Sequence, residues 1–364
     1  MAIQKITIQQ FLELAKQHPV FDVRSPGEYI HAHIPHAHNL PLFSNEERKI
    51  VGTAYKQQSR ETAIKIGLDF FGVKMKAMVE EVEKIMGNGQ CVISNKETTT
   101  NENQLPVANC LLLHCWRGGM RSAGVAWLLD LYGFKVYTLI GGYKAYRNWA
   151  LQQFAKEYTF SIIGGYTGSG KTLLLKELEK QQKNIIDLEG IANHKGSAFG
   201  SMGNQPTQEM FENILATELS GIGHSTSGIF IEDESQRIGN LKIPDAVWKS
   251  LRNSPVFFLD IPFEERLEYI TEEYGRLSKE VLVNAIIRIQ KRLGGLETKN
   301  AINHLLENNT KESFRILLTY YDKWYTKGLN NRENLSAFLN KIPCKSVDTK
   351  TNVQNLLACC TVNS

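Results

Sequence analysis

Between Phe160 and Leu178 the chain reads FSIIGGYTGSGKTLLLKEL. A β-branched apolar run meets a turn holding Gly165, Gly168 and Gly170, and Lys171-Thr172 then opens an amphipathic stretch. The G-x4-G-K-T spacing demands a strand, a tight glycine turn and a helix in immediate succession. Backbone N–H groups of such a turn converge on a phosphate chain. Lys171 would neutralise the outer phosphates, and the Thr172 hydroxyl would hold a magnesium ion. A strand–loop–helix unit of this kind belongs in an α/β layer structure with a parallel sheet, and that restricts the fold more than any other segment does.

Its surroundings extend the pattern. Strands are expected at Tyr158–Ile163, Ile185–Leu188, Ile229–Glu232 and Val256–Leu259, and beyond Pro262 the periodicity is helical to about Lys327. The strand in GIFIEDES ends on Glu232, Asp233 and Glu234, three carboxylates placed to support a phosphate-bound metal; the spacing does not choose among them. Arg288, Lys291 and Arg292 share one helical face, suited to RNA phosphates or to plain solvation. Tyr320, Tyr321, Trp324 and Tyr325 crowd a late helix, where they could stack on bases or pack in a core.

The first half is a second α/β unit. Thr7 is placed to cap a helix from Ile8 to about Gln17. Strands are expected at Val20–Val23, Leu111–His114 and Lys135–Leu139. Val73–Met86 has helical spacing, and the polar stretch Gly87–Cys110 reads as a surface loop. With 364 residues, 42% of them hydrophobic and 22% charged, the chain is long and apolar enough for two separate cores. The expected boundaries are 1–151 and 152–345, with 346–364 as a polar tail.

In LLLHCWRGGMRS a buried strand delivers Cys115 into a loop that closes on Arg121 at a helix start. Gly118 and Gly119 let backbone N–H groups turn inward, and a ring of N–H groups beside a helix N-terminus stabilises a thiolate and cradles an oxyanion. Arg117 and Arg121 add positive charge. His31, His33, His36 and His38 alternate around Pro35 without a cysteine or firm acidic partner, which argues against a metal site. The six cysteines form no CxxC pair. The first residues lack an apolar leader core, and no run of about 18 apolar residues would cross a bilayer; together these point to a cytoplasmic protein with reduced thiols.

The Cys115 loop, with DVRSPGE at Asp22–Glu28 and HIPHAHNLP at His33–Pro41, resembles a rhodanese domain. The resemblance implies a sulfur-carrying Cys115, with Asp22, Arg24 and Glu28 shaping the site. One departure is that five residues separate Cys115 from Arg121, the HC-x5-R spacing of cysteine-dependent phosphatases, where rhodaneses usually have four. A phosphatase or sulfurtransferase fused to a P-loop kinase-like domain therefore remains an alternative, as does an RNA-binding module with a purely structural P-loop.

A rhodanese-like parallel-sheet domain followed by a P-loop NTPase-like α/β domain with a helical C-terminal part is an uncommon pairing. Together with HCWRGGMRS, the stretch Asn39–Leu68, GGYTGSGKT and IFIEDESQRIG, it is similar to the tRNA 2-selenouridine synthases from about residue 8 to about residue 330. Lys96–Gln104 looks like an insertion against that family. The resemblance implies conversion of wobble 2-thiouridine in tRNA to 2-selenouridine through an S-geranylated intermediate, with geranyl diphosphate and selenophosphate as co-substrates. It assigns the selenium step to Cys115 and implies that Arg117, Gly118, Gly119 and Arg121 hold selenophosphate. It further implies that Gly165, Gly168, Gly170, Lys171 and Thr172 hold a diphosphate, with magnesium at Thr172. A net charge of +4 is weak, so tRNA contacts would have to be local.

Overall fold

The computed structural model describes residues 3–88, 110–194, 203–222 and 228–362. The chain divides into two compact units, Met1–Gln152 and Gln153–Ser364. Lys96–Gln104 lies outside the described residues.

The first unit runs β1 (Gln4–Ile6), α1 (Ile8–Ala15), β2 (Val20–Asp22), α2 (Pro26–His31), β3 (His38–Asn39), α3 (Asn45–Gln57), α4 (Arg60–Gly72), α5 (Met75–Asn88), β4 (Cys110–His114), α6 (Met120–Tyr132), β5 (Lys135–Leu139) and α7 (Gly142–Gln153). Its sheet is parallel throughout, in the order β1-β5-β4-β2-β3. The central strand β4 is buried along its whole length, which is why CLLLH is continuously apolar up to its last residue. Phe21, Leu111, Leu113, Val125 and Leu129 form part of the core beneath it. Thr7 caps α1 in a reciprocal box with Gln10, and Ser25 does the same for α2 with Glu28. The helices α3 and α4 were not anticipated. Their polar faces mask the periodicity, and α3 leaves only Ala54 fully buried.

The second unit runs β6 (Phe160–Gly165), α8 (Lys171–Lys180), β7 (Ile185–Ile186), α9 (Leu188–Ile191), α10 (Gln208–Ile222), β8 (Ile229–Glu232), the hairpin β9 (Arg237–Ile238) and β10 (Leu241–Lys242), α11 (Asp245–Arg252), β11 (Val256–Asp260), α12 (Phe263–Tyr274), α13 (Lys279–Leu293), α14 (Gly295–Leu306), α15 (Thr310–Asn330), α16 (Leu335–Phe338), β12 (Leu339–Pro343) and α17 (Thr349–Val362). The parallel sheet has the order β12-β11-β6-β8-β7, so the loop after central β6 opens at the carboxyl end of the strands, where open α/β sheets bind ligands. Helices α12–α15 pack around a core of their own that includes Leu267, Ile286, Phe314 and Leu318. The stretch 346–364, read as a tail, is no tail. Its helix α17 buries Val353 and Leu356 in the core beside Leu174 and Leu178 of α8. Among the described residues no helix is long and apolar enough to cross a membrane.

Candidate functional site

Strand β4 carries Cys115 to the end of the first sheet, where the thiol is buried. Gly119 donates its N–H to Cys115 Sγ at 3.3 Å, and Ser122 Oγ lies 3.2 Å from the same sulfur. The Ser122 hydroxyl also sits 3.0 Å from the Gly119 carbonyl. One hydroxyl hydrogen serves two acceptors, so Ser122 can satisfy the carbonyl while the thiol is protonated and turn to the sulfur once it ionises. Burial by itself pushes the thiol up. The Ser122 hydroxyl, with N–H groups of Ser122, Arg117 and Gly119, outweighs burial and brings Cys115 below the ordinary thiol value.

The two loop glycines are not equivalent. Gly118 has φ +65°, and a Cβ there would stand 2.6 Å from the Leu139 carbonyl oxygen. Gly119 would face open space. Arg117 is exposed beside the loop. Arg121, expected to hold an anion over Cys115, instead donates to Glu28 Oε2 at 2.9 Å. Glu28 also receives Arg48 Nε at 2.8 Å and the Ser25 N–H at 3.1 Å. Against the upward push of burial, these partners hold the Glu28 carboxyl at about 2. The Arg121 charge is thereby largely compensated, whereas Arg117 is exposed.

Asp22 and Arg24 form a fully buried pair, with Arg24 Nη2 2.6 Å from Asp22 Oδ2 and the guanidinium 3.8 Å from the centroid of Tyr143. They brace the floor of the loop; Tyr143 in turn donates its N–H to the Cys115 carbonyl at 2.8 Å. His33 Nδ1 contacts the Tyr29 carbonyl at 2.9 Å, and its ring stacks on Tyr29. Among the described residues no three His, Cys, Asp or Glu side chains form a metal-binding group.

In the second unit, Gly165, Gly168 and Gly170 all take positive φ and shape the loop between β6 and α8. Lys171 Nζ donates to the Gly165 carbonyl at 2.9 Å, so it lies across the loop. Thr172 Oγ1 donates to Glu189 Oε2 at 3.3 Å, and the Glu189 N–H donates to Glu232 Oε1 at 2.9 Å. Glu189, in α9, escaped the sequence reading. The signal was the Asp187-Leu-Glu189 turn directly after strand β7.

The three acids after β8 take separate positions. Glu232 is buried behind Glu189, and burial with the charges of Asp187 and Glu189 raises its carboxyl well above the usual range. Asp233 is held by Arg332 on one oxygen and by the Tyr325 hydroxyl on the other, the latter at 2.7 Å. Glu234 lines the cavity next to Glu189 and Lys171; burial and Glu189 raise it strongly, against the pull of Lys171. Asp233 is thus a structural anchor, and Glu189 and Glu234 face the loop. Glu189 and Glu234 beside the Thr172 hydroxyl could together hold a divalent cation.

The loop floors a cavity of about 820 Å³. Aromatic side chains line it as well: Trp248, Tyr269, Tyr274, Tyr321, Trp324 and Tyr325. Of the basic trio on α13, Arg292 reaches this cavity, while Arg288 and Lys291 are exposed and line no part of it.

Comparison with known proteins agrees with both halves. The family described as "tRNA 2-selenouridine synthase AAA domain" matches residues 158–344, and "Rhodanese-like domain" matches 7–148. The tRNA 2-selenouridine synthase of Sulfurovum sp. is 34% identical, covering 89% of this chain and 94% of that protein. That of Hydrogenovibrio crunogenus is 34% identical over 87% of this chain and 91% of its own length. The protein of the same name from Psychromonas ingrahamii is 31% identical over 88% and 90%. With the two domains matched in order and relatives similar along nearly their whole length, the chain belongs to the tRNA 2-selenouridine synthase family.

Proposed function

We propose that this chain is a cytoplasmic tRNA-modifying transferase that replaces sulfur by selenium at C2 of wobble 2-thiouridine, using geranyl diphosphate and selenophosphate. The observation that carries the reading is the pairing, in one cavity, of a phosphate-binding loop with an aromatic wall. Such a cavity suits a diphosphate joined to an apolar chain.

In the first step the C2 sulfur of 2-thiouridine attacks C1 of the geranyl group. The C1–O bond breaks with its electron pair going to diphosphate, and the base loses its N3 proton. Charge develops on the leaving diphosphate, where Lys171, the loop N–H groups and the N-terminus of α8 act on it. Thr172, with Glu189 and Glu234 nearby, would hold a magnesium ion, which supplies further charge neutralisation on the diphosphate.

In the second step selenium enters at C2 and geranylthiol leaves. Overall, S-geranylthiouridine, selenophosphate and water give selenouridine, geranylthiol and phosphate, with N3 reprotonated. Alkylation makes sulfur the better leaving group. The Cys115 thiolate, favoured by Ser122 and the loop N–H groups, attacks C2 and displaces geranylthiol; selenium from selenophosphate held by Arg117 and those N–H groups then displaces the Cys115 thiolate from C2, while water takes the phosphoryl group to give phosphate.

Calorimetry on the second-unit cavity tests the reading. Geranyl diphosphate is expected to bind roughly a hundredfold more tightly than inorganic pyrophosphate, because the tail adds buried apolar area. Binding of ATP in preference to geranyl diphosphate would overturn it.

A further inference from the structure

The sulfur nucleophile proposed above is part of a nucleobase and has to reach the diphosphate cavity from solvent. Trp324 is placed where that entry occurs. It lines the cavity, yet 41% of it is exposed, so it stands at the mouth. An indole left this open forfeits much of the burial energy that a core position would give it. Cations flank the ring: Arg292 lies 5.8 Å and Lys327 5.2 Å from the Trp324 centroid. A second such pair belongs to the same cavity, with Arg252 5.6 Å from the centroid of Trp248. The two are joined, because Arg252 Nη2 donates to the Gly328 carbonyl of α15 at 3.2 Å.

Arg292 and Arg252 accompany the two tryptophans, and all four line the cavity. RNA phosphates gain from these cations, and a neutral base stacks on the rings. Exposed aromatic rings with adjacent cations are how proteins seize unpaired bases: every base has a face to stack, and the cations meet the neighbouring phosphates.

We propose that Trp324, with Arg292 and Lys327 beside it, is the stacking platform for a nucleobase of single-stranded RNA at the mouth of the diphosphate cavity. The proposal rests on the reading of the cavity as the geranyl diphosphate site for its purpose, but the RNA contact can be measured without that ligand. It also divides the basic trio of α13: Arg292 serves the mouth, and Arg288 and Lys291 do not.

The test uses the full chain, a labelled anticodon stem-loop RNA carrying 2-thiouridine, and geranyl diphosphate titrated separately. Trp324→Ala is expected to weaken RNA binding about tenfold or more, and Trp324→Phe to retain most of it, because a phenyl ring still stacks. Arg292→Ala is expected to lower the slope of log affinity against log salt by about 0.7 to 0.9. The double variant Arg288→Ala/Lys291→Ala should match wild type in binding both the RNA and geranyl diphosphate. Unchanged RNA binding in Trp324→Ala overturns the proposal. So does an equal loss in Trp324→Ala and Trp324→Phe, or a loss confined to geranyl diphosphate, which would make the indole part of the apolar wall. Wild-type protein that fails to bind geranyl diphosphate while the RNA differences persist would instead refute the assignment of the cavity and leave the platform standing.

Discussion

The hydroxyl oxygen of Tyr325 lies 3.1 Å from the backbone nitrogen of Gly165, the first residue of the phosphate loop, and accepts its N–H. The same hydroxyl donates to Asp233, and Asp233 is paired with buried Arg332. One turn earlier on α15, Asp322 accepts from Arg266, whose guanidinium also donates to the Thr167 carbonyl at 3.0 Å. Helix α15 therefore grips the loop at two points while its neighbouring residues Tyr321 and Trp324 line the cavity, so the aromatic wall and the diphosphate cradle are held as one body.

Tyr325→Phe removes the grip at Gly165 and keeps the ring. It leaves a buried N–H and one carboxylate oxygen each a partner short, a loss of about 1–3 kcal/mol of stability. Affinity for inorganic pyrophosphate should fall several-fold, since the loop is less preorganised. Thermal unfolding and pyrophosphate titration check both; wild-type values in each would show that the contact does not position the loop.

Ser122→Ala removes the largest of the hydrogen bonds that favour the Cys115 thiolate. The pH at which alkylation of Cys115 by iodoacetamide reaches half its maximal rate should be below the ordinary thiol value in wild type and should rise in the variant. An unmoved profile would mean that the loop N–H groups act alone.

Glu28 tests the electrostatics of the first unit. Its carboxyl is held at about 2 against an ordinary 4.5, so the folded state binds the proton less well than the unfolded state does. The stability this confers is fully present above about 4.5 and is lost as the pH falls through about 2. Glu28→Gln should therefore cost about 1–3 kcal/mol near neutral pH, discounted for the half-exposed Arg48, with the difference from wild type shrinking below pH 4.5. Urea unfolding across this range measures it; a difference independent of pH would contradict the assignment.

Both loops were legible in the sequence because their information is local. Cys115 to Ser122 and Gly165 to Thr172 each lie at the junction of one strand and one helix, where spacing decides which N–H groups converge. What the sequence concealed is long-range. Arg121 looked like an anion ligand from its spacing to Cys115, but its partner Glu28 lies 93 residues away. Asp233 looked equivalent to its neighbours until Tyr325, 92 residues on, claimed it. The tail reading failed for a related reason: the apolar residues of α17 are few, and only their packing against α8 shows them to be core. Tyr325 and Trp324 are adjacent in sequence, yet the half-buried Tyr325 grips the loop while Trp324 stands at the mouth, a division that no periodicity in the late helix displays.

The most direct measurement is mass spectrometry of nucleosides from 2-thiouridine tRNA incubated with the protein, first with geranyl diphosphate and then with selenophosphate. Wild type should form S-geranylthiouridine and then 2-selenouridine. Lys171→Ala should stall at 2-thiouridine, its geranyl transfer slowed by about a hundredfold or more. Cys115→Ser should accumulate the S-geranylated nucleoside and form no selenouridine, because a serine hydroxyl stays protonated near neutral pH. Selenouridine formed by Cys115→Ser at the wild-type rate, or geranylation unaffected in Lys171→Ala, would contradict the division of the two steps between the cysteine loop and the phosphate loop.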